Sequence, residues 1–177
     1  TIVGPSNDVW NITVELGGGS LALGSNQALG NGNLNIVGNN PNNLPVVTYD
    51  LDGDGKAEVI CRLQEGARLF LADLDGMNGR VLRKTPWRAM VTDNTGTSTR
   101  VHMSIARLDG RTPAIITQTG LYENEILNAY RADLTPLWEY RSLAETNGSG
   151  SHHIDIADVD GDGRDEVFNG TMLLNPD

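Results

Sequence analysis

Cysteine, basic residues and long apolar runs are all scarce in this sequence, and each scarcity excludes a class of protein. Cys61 is the one cysteine among 177 residues, so the chain cannot form an internal disulfide. The 13 Lys and Arg residues are outnumbered by 23 Asp and Glu residues, which gives a net charge of −10 and argues against nucleic acid or an anionic membrane as a general partner. No stretch approaches the roughly 18 consecutive apolar residues that span a bilayer.

The sequence predicts neither a targeting leader nor helices. Thr1 is preceded by no Met and followed by no basic-then-apolar leader, which indicates a processed or excised protein. Cys61, within EVICR, reads as a small buried hydrophobe and not as a reactive thiol. Gly, Asn and Pro punctuate the chain, and no window shows sustained helical periodicity, so we predict an all-β fold.

What the sequence does contain is a repeat. Each copy is an alternating strand, an Asp-Gly turn and an apolar strand, in PVVTYDLDGDGKAEVICR (45–62), RVHMSIARLDGRTPAIITQ (100–118) and HHIDIADVDGDGRDEVFNG (152–170). All-β repeats of about 50 residues are typical of β-propellers, in which each repeat is one small sheet. We therefore predict about three propeller blades, starting near residues 45, 101 and 152.

The flanks of these repeats predict how the chain is organised. The first two repeats continue into hairpins, whereas the third stops within TMLLNPD, which would leave an unpaired edge. We therefore expect an incomplete propeller, completed by blades from the same gene or a partner chain. Residues 1–43 are rich in Gly and Asn and fit either β-solenoid strands or an edge hairpin, so the predicted division is 1–43 and 44–177.

Two of the turns concentrate carboxylates in DLDGDGKAE and DVDGDGRDE. Acids at alternating positions, a backbone carbonyl and a closing Glu can surround one ion with about six oxygens, as Ca²⁺ requires, whereas without an ion the like charges repel. We therefore predict two Ca²⁺ sites. The predicted ligands are Asp50, Asp52, Asp54, the carbonyl of Lys56 and Glu58 in the first loop, and Asp158, Asp160, Asp162, the carbonyl of Arg164 and Glu166 in the second.

The two loops have two other possible interpretations, an EF-hand and a plain acidic turn. An EF-hand loop needs an acid at its twelfth position, where this chain has Cys61 and Asn169, so these loops are not EF-hands. Two acidic, solvated turns are the simpler alternative, because Asp-Gly is common turn chemistry. The middle repeat keeps only Asp109 of the acids, and we expect it to be metal-free.

The two loops resemble those of integrin-type (FG-GAP) propellers, and a closer resemblance runs from about residue 45 to the end of the chain. YDLDGDGKAEV, ARLDGRTPAIITQTGLY, LNAY…LWEYRS and GSGSHHIDIADVDGDGRDEVFNGTMLL follow one another as in rhamnogalacturonan lyases of polysaccharide lyase family 11. The resemblance implies a secreted, calcium-binding, eight-bladed propeller that cleaves acidic pectic polysaccharide by β-elimination. One departure is GLYENE, which is acidic where the family has a basic, aromatic segment.

That chemistry needs a base for the C5 proton, a group that neutralises the uronate carboxylate and a proton donor for the leaving oxygen. The candidate catalytic residues are His102, His152, His153 and Tyr122, and the candidate substrate-binding cations are Arg62, Arg100 and Lys84. Tyr122 could be an acid or a sugar-stacking platform. Each residue also has a plainer alternative: ordinary strand residues for the histidines, structural packing for the tyrosine, and surface charge pairing for the cations. Adjacent His152 and His153 would point to opposite sides of a strand, so we expect at most one of them to face the substrate.

Three functions are therefore open from the sequence. The resemblance favours a secreted lyase for rhamnogalacturonan-type glycans. A Ca²⁺-stabilised propeller segment that binds glycan or protein without cleavage is the second. An extracellular structural or fibre component is the third, suggested by residues 1–43 and the incomplete set of blades.

Overall fold

The computed structural model of the chain describes residues 46–65, 68–88, 101–120, 125–142, 151 and 153–175, together with the backbone of 11–16 and 33–38. All thirteen elements in this described part are β-strands, which confirms the predicted all-β class. Within the same part, no helix has the length and apolar character needed to cross a membrane.

The strands form four sheets in chain order. Strands β1 (Asn11–Leu16) and β2 (Asn33–Gly38) pair in parallel, which is not the pairing of a hairpin, one of the two alternatives for residues 1–43. Two antiparallel meanders follow: β3 (Val46–Tyr49), β4 (Glu58–Glu65), β5 (Arg68–Asp75) and β6 (Val81–Pro86), then β7 (Val101–Ala106), β8 (Ala114–Thr119), β9 (Ile126–Arg131) and β10 (Pro136–Arg141). The last sheet is β11 (Asp155–Ala157), β12 (Glu166–Asn169) and β13 (Met172–Leu174).

The chain divides into two compact units between Trp87 and Arg88. The first meander belongs to the first unit, and the second meander and the last sheet belong to the second unit. The meanders begin at Val46 and Val101, close to the predicted repeat starts, because each repeat opens on an alternating strand. The separation of 1–43 from the rest stays a prediction.

In the first unit, a small apolar core lies on one face of the meander. Val59, Ala72 and Leu74 are buried together, and Cys61 packs against them. Burial, and secondarily the charge of Asp73, raises the pKa of the Cys61 thiol to about 12. The thiol is therefore protonated near neutral pH and is not a reactive nucleophile.

The turn between β5 and β6 uses two glycines for different reasons. Gly79 has φ of +72° and its N–H donates to the carbonyl of Asp75 at 2.7 Å, so the turn needs a residue that tolerates the left-handed region. A Cβ on Gly76 would lie 2.0 Å from the carbonyl oxygen of Ala57, so only glycine allows this turn to approach the first acidic loop. The hairpin turn is thus packed against the loop that precedes β4.

In the second unit, the core lies between two sheets. Alternate residues of the second meander, including Ile116, Leu127 and Ala129, pack with Val167 and Met172 of the last sheet. Trp138 is partly buried against this cluster. In the antiparallel register His102 pairs with Gln118, which pairs with Leu127, so two polar residues continue the face of Leu127 toward one end of the core.

At the other end of this core, the turn between β7 and β8 packs against the second acidic loop. The Arg107 N–H donates to the carboxylate of Asp165 at 2.6 Å, and the Asp165 N–H donates to the Arg107 carbonyl at 3.1 Å. A Cβ on Gly110 would lie 2.6 Å from the carbonyl oxygen of Gly163. Glycine at 110 is therefore required for this contact, which ties the position of the loop to the sheet.

Candidate metal centres and candidate active site

The first acidic loop connects β3 to β4 and is organised by its own carboxylates. Asp50 accepts hydrogen bonds from the N–H groups of Gly53 and Gly55 at 2.8 and 3.0 Å. Glu58, buried at the start of β4, accepts one from the Leu51 N–H at 2.8 Å. Both glycines have positive φ, which lets the backbone fold around the acids.

The second acidic loop connects β11 to β12 and repeats these contacts one for one. Asp158 accepts from Gly161 and Gly163 at 2.8 and 2.9 Å, and buried Glu166 accepts from Val159 at 2.9 Å. Two sequences that share only the acids and glycines therefore give the same hydrogen-bonded frame. This agreement shows that the acids and glycines set the conformation of the loop.

Each frame brings three carboxylates together. One oxygen from each of Asp50, Asp52 and Glu58 lies within 4.8 Å of the others, and the same holds for Asp158, Asp160 and Glu166. The donor set is all oxygen and carries three formal negative charges, which fits a hard divalent cation such as Ca²⁺ and does not fit a soft metal. The residues therefore suit the ion that the sequence predicts, and the ion itself stays a prediction.

The other predicted ligands occupy the rim of each loop. Asp54 lies outside the three-carboxylate group and binds the Lys56 N–H at 2.8 Å and the Lys56 ammonium at 2.9 Å. The hydrogen bond from the Lys56 side chain lowers the pKa of Asp54 below its usual value. Asp162 accepts from the Arg164 N–H at 2.7 Å, and the guanidinium of Arg164 lies 3.9 Å from its carboxylate. The carbonyls of Lys56 and Arg164 stay predicted ligands.

The middle turn uses its one acid differently. Asp109 accepts from the N–H groups of Arg111 and Thr112 at 2.8 and 2.7 Å, and from the Thr112 hydroxyl at 2.5 Å. The Thr112 hydroxyl contributes most to lowering the pKa of Asp109, which falls to about 2. This carboxylate closes a turn by itself, as Asp commonly does.

The candidate active site centres on two histidines of the second unit. His102, at the start of β7, is buried, and His153, just before β11, is exposed. Their ring centroids are 6.1 Å apart with the planes tilted by 59°. The structure thus brings together two of the predicted catalytic residues, while His152, Tyr122 and Arg100 lie outside the described residues.

The two described cations of the predicted substrate set lie in the first unit and have partners there. The Lys84 ammonium binds both carboxylate oxygens of Glu65 at 2.6 Å and lies 4.8 Å from the Phe70 ring centroid. The Arg62 guanidinium lies 5.9 Å from the centroid of the Trp87 ring, and burial lowers its pKa. For Lys84 the contacts correspond to the charge-pairing alternative.

Three polar residues near the histidines were not singled out by sequence analysis. Gln118 donates to the Ser151 carbonyl at 2.6 Å, Glu125 accepts from the Ser151 N–H at 2.8 Å, and Asn169 donates to the His153 carbonyl at 3.2 Å. Strand alternation could have shown Gln118, because it follows Ala114 and Ile116 on a buried face. Glu125 lies in the acidic segment that departs from the family, yet it is buried and not on the surface.

Comparison with known proteins identifies the family of the chain. Residues 67–177 match the model described as Rhamnogalacturonan lyase family 11, C-terminal domain. The chain belongs to this family. It is 32% identical over 170 residues to rhamnogalacturonan endolyase YesW of Bacillus subtilis (strain 168) and 28% identical over 170 residues to rhamnogalacturonan exolyase YesX of the same organism. Each comparison covers 74% of this chain.

Solved structures of family 11 lyases have a similar fold. The crystal structure of rhamnogalacturonan lyase YesW matches 75% of this chain with a TM-score of 0.68 and 31% identity, and the family 11 lyase of Bacillus licheniformis matches with a TM-score of 0.67 and 29% identity. The chain spans 27% and 28% of the lengths of the two curated relatives and 30% of each of these structures. Residues 67–177 therefore correspond to the C-terminal domain of this family.

Proposed function

We propose that the chain is part of a secreted polysaccharide lyase that cleaves rhamnogalacturonan-type glycans by β-elimination. The observation that carries the proposal is membership of family 11, since both curated relatives are named rhamnogalacturonan lyases. Its partner is then an acidic polysaccharide of plant cell walls, a polymer that an enzyme meets outside the cell. The names of the relatives include both an endolyase and an exolyase, so either mode of cleavage fits.

The proposed architecture is a β-propeller of which these sheets are blades. Four-stranded antiparallel meanders in chain order are the units from which propellers are built. Further blades come from the same gene or a partner chain. The greater length of the relatives supports this. Exposed apolar residues support it too: Leu173 on β13 and Val159 in the second acidic loop are each 51% exposed, whereas Leu51, at the matching position of the first loop, is 4% exposed.

The proposed cofactor is Ca²⁺ at both acidic loops. Asp50, Asp52 and Glu58 would hold one ion, and the matching acids of the second loop would hold the other. Bound Ca²⁺ would neutralise the negative charge of the three carboxylates that converge in each loop, and this would stabilise the loop. Since the second loop hydrogen-bonds to Arg107 of the β7–β8 turn, its ordering also supports the sheet that carries His102.

The proposed chemistry uses the histidine pair. In β-elimination a base takes the C5 proton of the uronate, the C4–oxygen bond breaks, a C4=C5 double bond forms and the leaving oxygen gains a proton. An imidazole suits proton transfer near neutral pH. The exposed His153 is accessible to a sugar, whereas the buried His102 lies beside it, so we assign His153 as the base and His102 as its neighbour in the site.

Absorbance of unsaturated uronate products tests this function directly. The full-length protein is incubated with rhamnogalacturonan and, as a comparison, with polygalacturonate, and the ultraviolet absorbance of the new double bond is followed. A rise with rhamnogalacturonan is expected. Binding of the polysaccharide without a rise in absorbance would instead support the non-catalytic glycan-binding alternative. A protein that neither binds nor cleaves the polysaccharide would support the structural alternative.

A further inference from the structure

A buried set of amide and carboxyl groups surrounds the segment that precedes β11. Gln118 at the end of β8, Glu125 just before β9 and Asn169 at the end of β12 are 0%, 1% and 0% exposed. Their hydrogen bonds reach Ser151 from two sides and the carbonyl of His153 from a third, at 2.6, 2.8 and 3.2 Å. Three elements that are distant in sequence thus hold one short stretch of backbone.

These contacts fix main-chain groups and not side chains, which is what positioning a residue requires. Both the N–H and the carbonyl of Ser151 are bound, and two residues later the His153 carbonyl is bound. The His153 imidazole is left exposed beside His102. A peptide segment held at three points has little freedom to rotate, so the imidazole that it carries keeps a defined direction.

Each of the three side chains also leaves one buried oxygen without a hydrogen-bond partner in the described part of the chain: Gln118 Oε1, Glu125 Oε1 and Asn169 Oδ1. Burying unpartnered polar atoms costs about 1–3 kcal/mol each. Apolar residues would fill this end of the core without that cost, as Leu127 and Ile116 do nearby. The polar choice therefore indicates a requirement other than stability.

We propose that Gln118, Glu125 and Asn169 form a backbone clamp whose role is to position His153 against His102. Glu125 is the central member, because it anchors both strands that meet here: its carboxylate binds Ser151, while its own N–H and carbonyl bind Ser142 after β10 at 3.0 Å each. These are positioning residues, since nothing places them against substrate.

The protonation of Glu125 fits this role. Burial raises the pKa of Glu125 to about 8, opposed mainly by the hydrogen bond from the Ser151 N–H. Among the described residues, His102 and His153 are titratable groups at this end of the two sheets, whereas Gln118, Asn169 and Ser142 contribute neutral groups. A neutral carboxyl can accept the Ser151 N–H without holding a buried charge, and Gln at this position would do the same.

The clamp rests on the proposed lyase activity only for its catalytic consequence, so the test has an arm that does not need activity. The full-length protein, labelled at histidine and in the backbone, is examined by NMR as wild type, Glu125→Ala and Glu125→Gln. Glu139 on β10 provides matched controls as Glu139→Ala and Glu139→Gln, because it pairs with Asn128 on the other face of the same sheet.

We expect Glu125→Ala to abolish the nuclear Overhauser contacts between the His102 and His153 rings, while Glu125→Gln and both Glu139 variants keep them. In the lyase assay, Glu125→Ala should lower kcat on the order of a hundredfold with KM little changed, and Glu125→Gln should restore it. Intact ring contacts in folded Glu125→Ala would overturn the clamp, whether or not the protein is a lyase. A lyase-negative wild type that loses the ring contacts in Glu125→Ala would keep the clamp and remove the proposed function.

A titration covers the case in which Glu125→Ala fails to fold. In the wild type, the Ser151 amide signal should shift with a midpoint near pH 8, and in Glu125→Gln it should not. A wild-type Ser151 signal that stays constant between about pH 6 and 9.5 would contradict a titrating carboxyl at this contact. If Glu125→Gln also loses the contacts between the histidine rings, the two results together overturn the proposal.

Discussion

The imidazole rings of His102 and His153 lie with their centroids 6.1 Å apart, although one begins the second meander and the other precedes the last sheet. Strand starts of successive repeats converge in this unit, which is why residues from different repeats become neighbours. One ring is buried and the other is exposed, so they have different solvent access and can take different parts in a proton transfer.

The first prediction concerns these two histidines. His153→Ala and His102→Ala should each lower the lyase rate on the order of a hundredfold or more, because both remove an imidazole from the proton-transfer site. Product absorbance at saturating rhamnogalacturonan measures the effect, and circular dichroism checks the fold. Lys84→Ala is the control, because Lys84 is engaged by Glu65 in the other unit. Near-normal turnover in both histidine variants would return them to ordinary strand residues.

The second prediction is the number of ions. The chain should bind two Ca²⁺, and Asp50→Ala and Asp158→Ala should each remove one, because each acid both joins a carboxylate group and bonds two glycine amides of its loop. Calorimetric titration of Ca²⁺ into the decalcified protein measures the stoichiometry. Asp109→Ala should leave it at two. A loop that remains empty in millimolar Ca²⁺ would refute the metal assignment for that loop.

The sequence predicted the parts of the structure that depend on local spacing. The acids and glycines of DLDGDGKAE and DVDGDGRDE determine two loops with matching hydrogen bonds, because every contact in them spans seven residues or fewer. The all-β class followed from alternation in the same way. The ligand role of Asp54 stays a prediction, and spacing alone could not show that the ammonium of its neighbour Lys56 donates to its carboxylate.

The features that depend on contacts between residues distant in sequence could not be predicted in this way. Nothing local to GLYENE shows that Glu125 is buried, because its partner Ser151 is 26 residues away along the chain. The partner of Lys84 is similarly Glu65, which only the β4–β5–β6 register brings near. Sequence position gave the histidine pair because both residues occupy the same place in a repeat, whereas the clamp has no repeat counterpart to reveal it.

The third prediction is that chelation destabilises the protein. An ion that binds only the folded state stabilises it by about 2.7 kcal/mol per site at a hundredfold excess over Kd, so EDTA should lower the melting temperature clearly. Asp54→Ala should mimic part of this loss. Glu58→Gln should have a larger effect, because Glu58 belongs to the buried end of the carboxylate group. A melting curve unchanged by EDTA would show that the loops fold without a cation.

The last prediction follows from the raised pKa of Glu125, which stands at about 8 in the folded protein because the carboxyl is buried. The same group titrates near pH 4.5 when the chain is unfolded, so between these values the folded state binds more protons than the unfolded state. The free energy of unfolding must then fall as pH rises through this window, by up to about 1.4 kcal/mol per pH unit, and the loss is complete above pH 8.

Glu125→Gln removes that proton and with it the slope, so the variant should gain stability relative to wild type as pH rises. Urea unfolding of both proteins between pH 5.5 and 8.5 measures the difference, in which the other titrating groups cancel. Parallel curves for wild type and Glu125→Gln would mean that Glu125 ionises in the folded protein much as it does in water.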